Sequence, residues 1–479
     1  MGELNVSSVT ILDFIIIIVY MGLLAYVGIR CTKKVKGTDD FFVADRNLPS
    51  FVLLATICAS VIGGSALIGK GGYAYNGGVV CIAIGLPYMI GMFIFSAFSG
   101  KISKIGHKYG FISMSEVMGY RFGKIVRIIS AILVAYTAIA TVGAQISATG
   151  TILSTLGGEH INYLMGAIIA TVIFTAYTAS SGLFGVVYTD VMQFIVLIVC
   201  VYIMLPVFSI NEVGGLTTLI ENTSPEKWSW DFEPEIITLI VTNFVMTIAG
   251  AEFWQRAFAA KNPKAAFKGQ FWGTAIYGVT IVITMFIGLS AALLLPNLIA
   301  DYGTADYAIP VMIVKILPTG ITGLAMAGVL SVMMSSADTY LLVATQSTLT
   351  DVYKVFKPDL EEKKALKISR IATIIFALFA FLVATCFQQA YDALMFGWTF
   401  YAATLGVPSL AAIAWKKATR PGILAGMATG FVVSIVWNHL GNPFGIGATI
   451  IGIILNAVVL IAVSLLTYSR VPSKEITLD

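Results

Sequence analysis

The stretch Ala59-Ser60-Val61-Ile62-Gly63-Gly64-Ser65-Ala66-Leu67-Ile68-Gly69-Lys70-Gly71-Gly72 lies inside a long apolar run and packs five glycines into its last ten residues. Each glycine in a helix interior costs about 1 kcal/mol relative to alanine, so a continuous helix is disfavoured here. In hydrocarbon, an interrupted helix is tolerated only where it lines a cavity. Broken helices at the midplane are a common way for carriers to hold ions and solutes. Small residues in such a run also suit a close helix–helix contact, and both readings stand at this point. The segment Gly64-x4-Gly69-Lys70 mimics a phosphate-binding loop. Gly71 stands where that loop needs Ser or Thr, and no strand precedes it, so a nucleotide site is set aside.

Around this stretch the chain is apolar throughout. Its 479 residues are 58% hydrophobic and 11% charged, with a mean hydropathy of +0.90. A soluble domain carries roughly 25% charged residues, which excludes a water-soluble fold of this size. The net charge of +4 says little, because in membrane proteins the placement of charge outweighs its sum. Cys31, Cys58, Cys81, Cys200 and Cys386 are scattered and read as small core residues. Three histidines without an HExxH pattern give no metalloenzyme signature. The expected class is all-α and integral to the membrane, with no enzymatic activity and no nucleic-acid partner.

A span needs about 20 mainly apolar residues. That rule gives thirteen, near 9–30, 49–75, 78–104, 122–156, 161–182, 184–209, 236–256, 269–297, 308–350, 365–388, 390–415, 421–439 and 444–468. The longest of these must break or project beyond the bilayer. The first is long enough to span, so it is not read as a cleaved leader. Basic residues cluster after spans 1, 3, 7, 9 and 11, and 26 of the 29 Lys and Arg fall on that side. The positive-inside rule makes it cytoplasmic. The opposite segment 211–235 is acidic, with Lys227 its one basic residue. The N-terminus is therefore expected outside and the C-terminus inside, in an inner or plasma membrane. With short loops, the function is expected within the membrane.

Several polar residues interrupt the spans. Asp190 lies about two turns inside span 6, in Val187-Tyr188-Thr189-Asp190-Val191-Met192-Gln193. A carboxylate at membrane depth costs at least about 3 kcal/mol unless it meets a cation or water. Span 9 carries Met334-Ser335-Ser336-Ala337-Asp338-Thr339, where Ser335, Asp338 and Thr339 share a helix face. Hydroxyls, carbonyls and carboxylates are hard ligands that suit a hard cation such as sodium. Glu252 and Arg256 have i,i+4 spacing and read as a structural pair. Gln145 is a buried amide that needs a partner, either a neighbouring helix or a solute.

With these motifs, together with Phe41-Phe42-Val43-Ala44-Asp45-Arg46 and Asp351-Val352-Tyr353-Lys354, the sequence resembles the sodium:solute symporter family over nearly its whole length. The resemblance implies a LeuT-type fold, with five helices repeated in inverted orientation (here about 49–209 and 236–415) as a single transporter domain. It implies sodium-coupled symport by alternating access, in a protein that works as a monomer. The implied sodium ligands are the carbonyls of Ala59, Ile62 and Val332 and the hydroxyls of Ser335 and Ser336. Asp190 matches the family aspartate on the inward sodium path. In members with two sodium ions the second lies near Asp190, Asp338 and Thr339, so a second cation site is expected there. Arg46 matches an arginine tied to coupling. The implied solute site has Gly63, Gly64 and Ser65 as its floor and Gln145, Phe253, Trp254, Trp398 and Tyr401 as walls. It suits a small polar organic solute such as an amino acid or carboxylate. An ion channel or sensor and a proton-coupled carrier of the same fold are the alternatives; no selectivity-filter repeat is present.

Overall fold

The computed structural model describes residues 9–32, 37–230, 234–387, 390–471 and 473–477. Lys33, Lys34, Lys36, Asp231 and Glu233, used above to assign sidedness, lie outside the described residues, as does the Ser65 side chain. Among the described residues there is no strand, and the principal helices are α1 (Ile11–Thr32), α2 (Ser50–Val61), α3 (Lys70–Gly77), α4 (Val80–Tyr109), α5 (Lys124–Gly157), α6 (Tyr163–Val196), α7 (Pro234–Ala249), α8 (Ala251–Ala259), α9 (Pro263–Leu294), α10 (Ile321–Gln346), α11 (Glu362–Cys386), α12 (Ala390–Ala414), α13 (Arg420–His439) and α14 (Ala448–Thr467). Ten described stretches are long and apolar enough to cross a membrane. The other expected spans fall on the broken pair α2–α3, on α6 before its kink at Gly182 (φ 57°), and on α12. The long apolar run 308–350 divides, as its length requires: a short helix Ala308–Ile316 ends before Pro318, and α10 starts after Gly320.

Local chemistry sets the helix ends. Asn262 accepts the Ala265 N–H at 2.8 Å ahead of Pro263, an N-cap followed by proline at the first helical position. Gly110 ends α4 in the left-handed region at φ 73°. Inside α12, Pro408 cannot donate to the carbonyl four residues back. Asn456 on α14 fills that gap, donating to Thr404 O at 3.0 Å and Ala403 O at 2.8 Å.

Burial runs from the periphery to a centre. Only 22% of the apolar window of α1 is buried, whereas 100% of that of α10 is, so α10 is the axial helix of the bundle. Its start is tied to the periphery: the buried Asp13 carboxylate accepts the Gly320 and Gly323 N–H groups at 2.7 and 2.8 Å, capping α10 from α1. Asp13→Ala strands those donors at about 1–3 kcal/mol. It should lower the detergent melting temperature by roughly 5 °C, and an unchanged melting curve would remove this role.

The basic loops gather on one face. Arg46 donates to Phe111 O and Gly110 O at 2.9 Å each. His107 bonds Ala260 O at 2.9 Å, and Arg127 pairs with Glu116 at 2.7 Å and Asp351 at 2.9 Å. Arg121 reaches Ala412 O at 2.6 Å and the tail residue Ser473 at 3.2 Å. An isolated parallel bridge joins Leu48, ahead of α2, to Ala260, behind α8. Its bonds are Leu48 N–H to Ala259 O and Lys261 N–H to Leu48 O, both 3.0 Å.

Candidate ion and solute site

Helix α2 stops at Ile62, so the carbonyls of its last turn lack helical donors. The chain resumes in a wide π-turn, Ser65–Gly69, that runs into α3. Helix α10 crosses this break. The Ser336 hydroxyl donates to Ser60 O at 3.0 Å and comes within 3.5 Å of Ala59 O. A Cβ on Gly63 would lie 2.2 Å from Ser336 Oγ, and one on Gly64 would lie 2.7 Å from Met333 Cγ. Break and close contact are therefore one feature, and both readings of the glycine run hold together. Gln145 on α5 accepts the Gly64 N–H at 2.7 Å, taking up one main-chain donor that the break would otherwise strand. Gly63→Ala must push α10 away from the break. It should weaken sodium-dependent uptake more than tenfold, about 1.4 kcal/mol or more. Wild-type sodium dependence in that variant would show that the contact is dispensable.

The second broken helix has a subtler origin. Helices α7 and α8 part at Gly250 (φ −58°, ψ 108°), a single glycine in an apolar run. Helix α8 brings in Arg256, but not to the Glu252 carboxylate as the i,i+4 spacing implies. The guanidinium donates to Ser60 Oγ at 2.6 Å, Thr339 Oγ1 at 2.7 Å and Thr56 Oγ1 at 3.3 Å, and meets Glu252 through its main-chain carbonyl at 3.3 Å. Glu252 instead accepts from Tyr340 at 3.0 Å. The pairing fails because the end of α2 offers a row of hydroxyl acceptors within the reach of an arginine.

Beyond its kink, α6 presents Asp190, fully buried. Its two oxygens accept from Ser335 and from Thr56. Asp338 turns away from this cluster to Thr178 on α6, while Thr339 faces Arg256 and Ser60. The three residues expected to share a second cation are thus divided between two hydrogen-bonded groups.

Beside the break is a narrow cavity lined by three of the residues named above, Gly63, Gln145 and Trp398, and also by Lys70, Tyr88 and Asn243, among others. Trp398 stacks on Tyr88 at 5.7 Å and 9°, and donates to Thr141 at 3.2 Å. Three expected walls stand elsewhere. Phe253 packs behind Tyr88, Trp254 lies against Phe95 and Phe258, and Tyr401 donates to Ala249 O at 2.6 Å. Both α8 aromatics are drawn onto Phe95 of α4, and Tyr401 on α12 is held by the carbonyl at the end of α7. Lys70, Tyr88, Asn243 and Tyr277 were missed as lining residues. The usable signal was an ammonium and an amide in apolar runs.

A model of the sodium:solute symporter family matches residues 41–430. The chain belongs to that family. This symporter is 25% identical over 486 residues to the sodium/proline symporter of Escherichia coli, covering 96% of this chain and 94% of that protein. It is 24% identical over 433 residues to the sodium/pantothenate symporter of Haemophilus influenzae, covering 85% and 86%. Among solved structures, a Na+-coupled sialic acid symporter in a substrate-bound, outward-open state superposes with a TM-score of 0.83 at 16% identity, covering 98% of this chain and 100% of that one. The protein is a multi-pass membrane carrier of LeuT-type fold that couples sodium to a small solute. It is not an enzyme, and the channel and proton-carrier alternatives are not favoured.

Proposed function

We propose that this symporter binds its sodium between α2 and α10, on the carbonyls of Ala59, Ile62 and Val332 and the hydroxyls of Ser335 and Ser336. The observation that carries this reading is the convergence of the Ser335–Ser336 turn on the unsatisfied end of α2. Five hard oxygens there suit sodium. Asp190 stands behind Ser335, accepting its proton, which leaves the hydroxyl lone pairs for a cation and strengthens them as donors. Sodium would draw α10 onto the break, and Gly63 with Gln145 would transmit this to a small polar organic solute in the adjoining cavity.

We propose one sodium per cycle rather than two. The Arg256 guanidinium lies against Thr339 and Ser60, where a second cation would sit, and balances Asp190 through Thr56. Asp338 is then carried as a neutral acid. Thr178 bonds both Asp338 and Phe174 O, and a hydroxyl has one proton for two acceptors, so the carboxyl supplies the other. The gathering of basic loops on one face supports thirteen spans, an outside N-terminus, a cytoplasmic C-terminus and inverted repeats over about 49–209 and 236–415. It also leaves Arg46, bound to the end of α4, as a coupling residue at the inner gate of a monomer. Isotopic sodium binding to the purified protein tests the site. One ion per chain, lost in Ser335→Ala/Ser336→Ala, is expected. Two ions, or binding unchanged in that variant, would overturn it.

A further inference from the structure

We infer that the solute carries a negative charge, most simply one carboxylate, and that Lys70 is the residue that selects it. This rests on the solute cavity proposed above. Lys70 opens α3, just beyond the break, and is buried (6% exposed) on the cavity wall. Its ammonium donates to the Tyr277 hydroxyl and lies over two rings, 4.8 Å from the Tyr277 centroid and 5.6 Å from that of Tyr88. Among the described residues, no carboxylate lies within ion-pair distance of it. A buried ammonium without a carboxylate is expensive at membrane depth, and aromatic faces return only about 0.5–2 kcal/mol. An ammonium has three donors, and Tyr277 takes one, leaving two for a ligand.

Charge accounting at membrane depth points the same way. Around the break, the buried cations Lys70 and Arg256 match the buried carboxylates Asp190 and Glu252 in number, with Asp338 neutral as argued above. Sodium then adds one positive charge, which a monoanionic solute cancels. The remaining lining suits an organic body. The stacked pair Tyr88–Trp398 offers an apolar wall, and Gln145 and Asn243 add amide groups to the lining. A zwitterion would bring its own ammonium towards Lys70, at a Coulomb cost, and a polyol would leave the ammonium unpaired.

The test uses the symporter in sodium-free proteoliposomes diluted into sodium buffer, with labelled acetate, propionate, lactate, pyruvate and benzoate. Their uncharged amides, proline, myo-inositol and iodide run in parallel. Sodium-driven uptake of one or more carboxylates, at least 100-fold in kcat/KM over the matching amide, is expected. Lys70→Met should abolish that preference, and Lys70→Arg should retain part of it. Each variant is checked for a monodisperse elution profile. Should Lys70→Met misfold, selectivity of the wild type between each acid and its amide, together with Lys70→Arg, decides the matter. Preference for amides, proline or inositol, or an unchanged acid preference in Lys70→Met, overturns the inference. Transport of iodide alone would keep the anion and refute the carboxylate. No response to any anion while isotopic sodium still binds also refutes it. Loss of sodium binding altogether would instead count against the sodium site itself.

Discussion

Ser336→Ala should raise the sodium concentration for half-maximal uptake by roughly 30-fold, with maximal surface expression changed little. The Ser336 hydroxyl has two roles. It supplies one of five ligands to the proposed sodium, and without the ion it satisfies Ser60 O at 3.0 Å. Losing a hydrogen bond to a charged partner costs about 1.5–3 kcal/mol, and 2 kcal/mol corresponds to about 30-fold in affinity. Because the carbonyls of the α2 end remain, some sodium affinity should survive. Ser336→Thr keeps the hydroxyl but adds a methyl group against Gly63, so it should fall between the two. Uptake titrations over sodium concentration read all three, and a Ser336→Ala curve superimposed on wild type would remove the residue from the site.

The larger effect is expected at Arg256. Removing one partner from a buried charge pair costs about 3–5 kcal/mol, so Arg256→Gln should cut sodium-driven uptake by more than about 100-fold and lower thermal stability. The buried Asp190 would be left uncompensated, and Ser60 and Thr339 would lose their common donor. Arg256→Lys keeps the charge without the planar fork and should be intermediate. The decisive measurement is a double-variant cycle. Arg256→Gln/Asp190→Asn removes both charges and should regain stability relative to Arg256→Gln, even though transport stays low. A double variant destabilised by the sum of the two single effects would show that the two residues are not energetically coupled. Wild-type uptake should meanwhile follow sodium with a Hill coefficient of one. A coefficient near two would return the second ion to Asp190 and Thr339.

Most of the fold was legible because the bilayer imposes a one-dimensional code. Length, apolarity and the side on which Lys and Arg collect need no tertiary information. The α2–α3 break was also visible, because five glycines in ten residues leave few alternatives. The α7–α8 break was not, since Gly250 alone could equally have been a packing glycine. Side-chain direction was the harder part. Arg256 has both Glu252 on its own helix and the α2 hydroxyls within reach, and sequence spacing reports only the first. Trp254 and Tyr401 looked like cavity walls because they are large aromatics near a break. The contact of Trp254 with Phe95 and the bond of Tyr401 to the end of α7 hold them elsewhere. Lys70 was conspicuous in the sequence, but its placement over the Tyr88 and Tyr277 rings depends on α4 and α9 folding back beside α3.

The short backbone bridge at Leu48 and Ala260 has a consequence for leakage. It fastens the start of one broken helix to the end of the other through two main-chain bonds, so neither half-helix can swing out while its counterpart stays shut. A carrier whose two flaps moved separately would pass through a half-ajar state, through which an unaccompanied ion could slip. Here that state requires breaking both bonds in a partly dry setting. Since amide hydrogens and carbonyls form the latch, side-chain substitutions at these positions leave its bonding groups in place. A proline at Lys261 does not, because it takes away the N–H that Leu48 accepts.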